Sequence, residues 1–192
     1  MDVRSTLRAE RGFSLIEVLV ALALLTTMAV GIVPLLVTAT SVIRNARSQS
    51  STALLAAQKL EQLVSLTWGV DKTLPGVAVS DRSTDLSIEP PGAGGAGLSA
   101  SPAGTLDCNT PGYVDYLDAA GQWVGTGASV PARAVYIRRW NIQTFPASSD
   151  TLVLQVLVTT VAREQSRTTS SGVRARQPED TVLVSMKTRK TS

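Results

Sequence analysis

The sequence predicts an α+β chain: a long N-terminal helix, membrane-spanning in its first half and amphipathic in its second, packed on a small antiparallel sheet. Three observations carry this. From Val18 to Val37 about 20 residues pass without a charge, enough at ~1.5 Å rise each to cross a ~30 Å hydrocarbon core. From Ser41 to Leu66 the apolar residues recur at mostly three- and four-residue steps. The C-terminal half holds runs that alternate with a period of two: Ala134–Phe145, Thr151–Val161 and Thr181–Thr188. Helix first and strands after, without βαβ alternation, is the α+β order.

Composition narrows the function classes. The chain has 192 residues, 44% hydrophobic because of the apolar run, and only 4% aromatic. Three of its 18 basic and two of its 15 acidic residues lie in the first 12, so the remainder carries 15 and 13, a net charge of +2. That balance gives no global electrostatic case for nucleic acid. There is no histidine and a single cysteine, Cys108. A Ser-His-Asp arrangement, a histidine metal site and paired zinc thiolates are therefore unavailable, and neither an enzyme nor a cofactor is expected.

The first element is the stretch Arg11–Val37, RGFSLIEVLVALALLTTMAVGIVPLLV. Its one charge after the leader is Glu17, and a carboxylate at a helix centre in lipid costs on the order of 2.5–3.5 kcal/mol, less near a span's end. In a secretory signal the apolar core precedes the cut and leaves with it. Here the small residue Gly12 precedes the core, so a cut at Gly12–Phe13 would keep the helix. A plain signal anchor accounts for the length and hydrophobicity, but not for Gly-Phe at the boundary or a glutamate on the first turn.

The string G-F-S-L-I-E-V-L-V-A resembles the processing and methylation motif of type IV pilins and pseudopilins. The resemblance implies that residues 1–12 are a cytoplasmic leader and that a prepilin peptidase cuts after Gly12. It implies that the new amino group of Phe13 is methylated and that Glu17, fifth in the mature chain, faces an N-terminal amine during assembly. An α-amino group with a pKa near ~8 suits that task as a cation. Residues 13–40 would form the transmembrane and assembly helix. Arg4, Arg8 and Arg11 before the span and Arg44 and Arg47 after it leave orientation nearly open. The resemblance implies a single pass of the inner membrane with the C-terminal domain in the periplasm. Gly31 and Pro34 predict a kink or local melting near Val30–Pro34. The pilin pattern has a proline there, in a segment that loosens as subunits enter the fibre. A proline merely tolerated in a membrane helix fits as well.

Residues 41–69 read as the amphipathic helix of the head. Ala46, Ala53, Ala57, Leu60 and Val64 form its stripe, Arg44, Arg47, Gln49, Lys59 and Gln62 are expected to stay wet, and Trp68-Gly69 ends it.

Residues 70–192 read as an exported β head. Leu86–Ile88 is a short candidate strand. Residues 89–104, EPPGAGGAGLSASPAG, read as a flexible surface loop without the lysine and flanking elements of a phosphate cradle. Cys108 is expected to be exposed or in a small pocket. It cannot form an intrachain disulfide, a departure from many major pilins. Tyr113–Leu117, a β-turn over Asp118–Gly121 and Gln122–Val124 form a hairpin. Asp115 and Asp118 are weak candidates for calcium, since turn chemistry already accounts for Asp118. In the second long strand Leu152, Leu154, Val156 and Val158 are expected against the helix. In the third, Val182, Val184 and Met186 are expected inward. Short connections predict an antiparallel meander.

Tyr136-Ile-Arg-Arg-Trp140 followed by alternating valines and leucines looks like the PilV and GspI type of minor pilin. The resemblance thus implies a minor pilin or pseudopilin that initiates or modifies assembly of a type IV pilus or a type II secretion pseudopilus. Its partners would be the prepilin peptidase, other minor pilins or pseudopilins, the inner-membrane assembly platform and membrane lipid. The alternative is a DNA-binding minor pilin of a DNA-uptake pilus. Its candidate basic patch comprises Arg138, Arg139, Lys187, Arg189 and Lys190, with Arg174, Arg176 and the ring of Trp140 nearby.

Overall fold

Helix α1 runs from Leu15 to Ser65 without interruption in a computed structural model of the chain. The structure describes residues 12, 14–74, 77–80, 84–85, 92–93, 96–167 and 180–190. Phe13, Leu86–Ile88, Arg174 and Arg176 lie outside the described residues. Two units divide the chain, Met1–Asn45 and Ala46–Ser192.

In the first unit Ser14 starts α1, its carbonyl accepting the N–H groups of Glu17 and Val18. The hydroxyls of Thr26, Thr27, Thr38, Thr40 and Ser41 donate to carbonyls three or four residues back, as polar groups on an apolar helix must when water is scarce. The helix continues through Gly31 and Pro34, so of the expected kink or local melting the melting is absent. Proline removes one N–H from a 51-residue ladder, and the bonds on either side hold the rest. Leu19, Leu22, Leu25, Ile32 and Leu36 are all exposed. Among the described residues α1 is the one helix long and apolar enough to cross a membrane.

In the second unit α1 buries Thr52, Leu55, Ala56, Lys59 and Leu63 at helical spacing. The expected stripe is therefore rotated out of the interface: Ala46, Ala53 and Val64 are exposed, and Ala57 and Leu60 only half-buried. The helix stops at Ser65, short of Trp68-Gly69. Residues Trp68–Val70 instead form β1, paired with β2 (Ala78–Ser80). They leave the helix because the Trp68 indole N–H donates to the Asp150 carbonyl and the Trp68 carbonyl accepts from the Lys190 N–H. β3 (Thr84–Asp85) and β4 (Gly92–Ala93) form a second small pair.

The main sheet has five strands: β5 (Val114–Leu117), β6 (Trp123–Thr126), β7 (Tyr136–Phe145), β8 (Ser148–Thr160) and β9 (Thr181–Thr188), in the order β6-β5-β7-β8-β9, all antiparallel. The expected β5–β6 hairpin forms, its turn closed by the Gly121 N–H on the Asp118 carbonyl. Gly121 has φ +79°, a conformation glycine adopts without strain. The expected meander forms over the three long strands β7-β8-β9. The Val135 N–H meets the Leu117 carbonyl, so β7 enters on the free side of β5 rather than beside β6. The β7–β8 turn is Pro146-Ala147, tighter than Pro146–Asp150. A short helix α2 (Val161–Ser166), capped by the Thr160 hydroxyl, follows β8 where the sequence suggests only a polar loop.

The core lies between α1 and one sheet face. Leu55, Ala56 and Leu63 meet Trp140, Ile142, Leu152, Leu154, Val156 and Val158, as expected for the β8 face. A smaller cluster of Val114, Tyr116 and Ile137 fills the opposite face, with Val161 of α2 against it. Two expectations fail here. β9 carries Leu183 inward and leaves Val182, Val184 and Met186 outside. Its register places Leu183 opposite Val156, and cross-strand partners share a face. The stretch 96–104 is also not a free loop. Leu98 is buried in the core, and the Ser101 N–H donates to the Ile142 carbonyl.

Candidate functional site

The residues singled out for processing and assembly sit at the start of α1. Gly12 is exposed, and a side chain there would meet nothing within 4 Å. Glu17 occupies the first turn, where a carboxylate is favoured by the partial positive charge of the helix N-terminus. It is exposed and shares a shallow groove with Val18, Ala21, Leu22 and Leu25. The arrangement is one acid at the end of a surface that is otherwise hydrocarbon. In lipid or in a fibre core such an acid needs a cation or a hydrogen-bond donor. Pro34 lies further along the same exposed helix.

Residues 7–33 match the prokaryotic N-terminal methylation motif. No curated protein and no solved structure matches the chain. The methylation motif is a type IV pilin-like prepilin signal, and it supports a type IV pilin- or pseudopilin-like protein. It implies processing by a prepilin peptidase and assembly with other pilins. Proteins that carry the motif are structural rather than catalytic. Together with the apolar helix, the motif is consistent with membrane anchoring. Gly12, Phe13 and Glu17 fall inside the matched span, and Pro34 lies one residue beyond it.

The candidate basic patch does not come together. Arg138 and Arg139 are adjacent on β7, so their side chains leave by opposite faces, and both are buried, at 3% and 1% exposure. Arg138 forms a fork on Asp115, with Nε to Oδ1 and Nη2 to Oδ2 both 2.8 Å, and donates to the Leu55 carbonyl of α1. Arg139 donates to Glu164 at 2.7 Å and to Asn109. Glu164 also faces Arg167, which pairs with Asp180 at the entrance to β9. Bidentate carboxylate recognition is what a planar guanidinium does best, and here it joins elements of the head. Lys187, Arg189 and Lys190 lie apart, at the end of β9. Lys187 donates to the Val64 carbonyl near the end of α1, while Arg189 bonds Asp150 and stacks on Trp68 at 3.7 Å.

Lys59, expected to stay wet, is buried instead. It is 1% exposed, with Nζ 3.5 Å from Asp115 and 3.5 Å from the centroid of the Trp140 ring. Its period on α1 places it between Ala56 and Leu63 on the buried side, a signal present in the sequence and outweighed by its charge. Asp115 and Asp118 are not a shared calcium site. Asp115 is the carboxylate between Lys59 and Arg138, and Asp118 accepts from the Ala120 and Gln122 N–H groups of its own turn. Cys108 is exposed.

Burial raises the phenol pKa values of Tyr113 and Tyr116 above the ordinary 10.0. Hydrogen bonds from the Thr73 hydroxyl and from the Thr73 and Leu74 N–H groups hold Asp71 below its usual 3.8.

Proposed function

We propose that this chain is a minor pilin or pseudopilin, a non-catalytic subunit that initiates or modifies assembly of a type IV pilus or a type II secretion pseudopilus. The prepilin peptidase removes residues 1–12 and methylates Phe13. Residues 13–40 hold the chain in the inner membrane, and the head from residue 41 onward lies in the periplasm, where it meets other minor pilins. In the fibre, Glu17 accepts the terminal amine of a neighbour, which neutralises a carboxylate that lipid or a packed helix core would otherwise leave unsolvated.

The observation that carries this reading is the methylation motif over residues 7–33, with Glu17 on the first turn of an exposed apolar helix. Gly12 tests it. A bulky residue in place of Gly12 should leave the leader attached, read as an intact mass that retains residues 1–12. Normal trimming of that variant would overturn the proposal. Among the described residues of its candidate patch, the DNA-binding alternative loses Arg138 and Arg139 to the interior and keeps Lys187, Arg189 and Lys190 at the end of β9.

A further inference from the structure

The outer edge of β9 is unpaired among the described residues until Lys190, where β1 bridges it. The Arg189 N–H donates to the Asp150 carbonyl, on the β8 side, while the Lys190 N–H donates the opposite way, to the Trp68 carbonyl. Strand alternation then fixes the rest: the backbone groups of Thr181, Leu183, Ser185 and Lys187 face β8, and those of Val182, Val184 and Met186 face away from it. Strand β9 is the last in its sheet, and none of the described residues bonds to those outward groups. The same three residues expose 40%, 57% and 54% of their side chains on the face away from α1. A row of open backbone groups beside a strip of apolar side chains is a template for pairing.

The other face of this edge differs. Where β9 ends, a cleft of about 500 Å³ opens between the end of α1 and β1, lined by Trp68, Lys72, Lys187 and Lys190 and by no carboxylate among the described residues. A strand laid along β9 would place alternate side chains beside Val182, Val184 and Met186, and the intervening ones beside Leu183, Ser185 and the lysine cleft.

We infer that β9 is a docking edge for an extended segment of another polypeptide, apolar on one face and acidic on the other. Backbone pairing supplies the attachment, and the two faces supply the choice of partner. The inference goes beyond the assembly reading and does not depend on leader removal or on Glu17.

A blocked peptide of alternating valine and glutamate has this chemistry and serves as the probe against the full chain in detergent. It should bind, slow amide exchange at Val182, Val184 and Met186, and bind at least about tenfold better than the valine–lysine peptide. Val184→Pro removes an outward N–H and leaves the β8 ladder intact, so it should weaken binding about tenfold with the unfolding midpoint little changed. Lys72→Glu with Lys190→Glu should abolish the preference for glutamate. Failure of the probe to bind, equal binding of both peptides, or binding indifferent to Val184→Pro would each overturn the inference. So would self-association that Val184→Pro abolishes, which would make the occupant a second copy, or preferential capture of a single-stranded oligonucleotide.

Discussion

The ammonium of Lys59 lies 3.5 Å above the ring of Trp140, inside the interface between α1 and the sheet. Asp115 faces both Lys59 and Arg138, so one carboxylate serves two buried cations. Removing the shared acid should therefore cost more than removing either cation's weaker contacts. Asp115→Asn should destabilise the head by about 3–5 kcal/mol, the usual result of leaving buried charge without its counterion. Lys59→Met keeps the stem's packing and the Arg138 fork, and loses a long ion pair and a cation–π contact, about 1–2 kcal/mol together. Denaturant unfolding of the full chain in detergent reads both. A Lys59→Met cost equal to or above that of Asp115→Asn would contradict this account.

Arg139 gives a second test of structural against ligand-binding roles. Its guanidinium ties β7 to Glu164 on α2 and to Asn109 in the loop before β5. Arg139→Ala should cost about 3 kcal/mol of stability, since a buried carboxylate loses the nearer of the two arginines that face it. Salt-dependent retention of DNA by the chain should not change. A stable variant with weakened DNA retention would return Arg139 to the surface patch.

The same two arginines show where sequence reading reaches its limit. The long apolar helix, the β8 face and the Asp118–Gly121 turn were legible because each is a local pattern: a charge-free run, a period of two, a turn residue at a fixed offset. Leu152, Leu154, Val156 and Val158 could be placed from their own strand. Val182, Val184 and Met186 could not, because Leu183 sits between two valines, so apolar residues fall on both faces and only the register with Val156 decides which is buried. The positions of Lys59, Arg138 and Arg139 depend on partners 56, 23 and 25 residues away in the chain. A lone charge reads as exposed until its counterion is known. At the N-terminus, the proposed roles of Gly12 and Glu17 rest on the motif alone, and the fold adds only their exposure and the first-turn position of Glu17.

The buried phenols predict an alkaline limit. Burial raises the pKa values of Tyr113 and Tyr116, so between about 10 and those raised values the folded state holds protons that the unfolded state has lost. Their contribution is complete below pH of about 10 and is lost as pH rises through the folded values. Phenolate absorbance should show two of the three tyrosines titrating later in the folded chain than in urea. Asp71 has the opposite sign, its contribution present above 3.8 and lost as pH falls through its lowered value. Coincident folded and unfolded tyrosine titrations would show that these phenols are solvated.

Glu17 separates insertion from assembly. A carboxylate near the end of the span resists lipid, so Glu17→Ala should insert at least as well as the parent chain and lose its leader normally. On the proposed assembly role, the same carboxylate neutralises a neighbour's terminal amine in the fibre, a task that alanine cannot perform. The variant should therefore reach normal membrane levels and be poorly recovered in sheared fibres. Glu17→Gln sharpens the result. The amide keeps the shape and a hydrogen-bond acceptor but removes the charge, so if attraction to an ammonium is the operative contact, glutamine should fail nearly as badly as alanine. If glutamine restores incorporation, the contact is an ordinary hydrogen bond. Undiminished incorporation of both variants would make Glu17 a side chain reaching to the membrane interface, and the assembly role would fall.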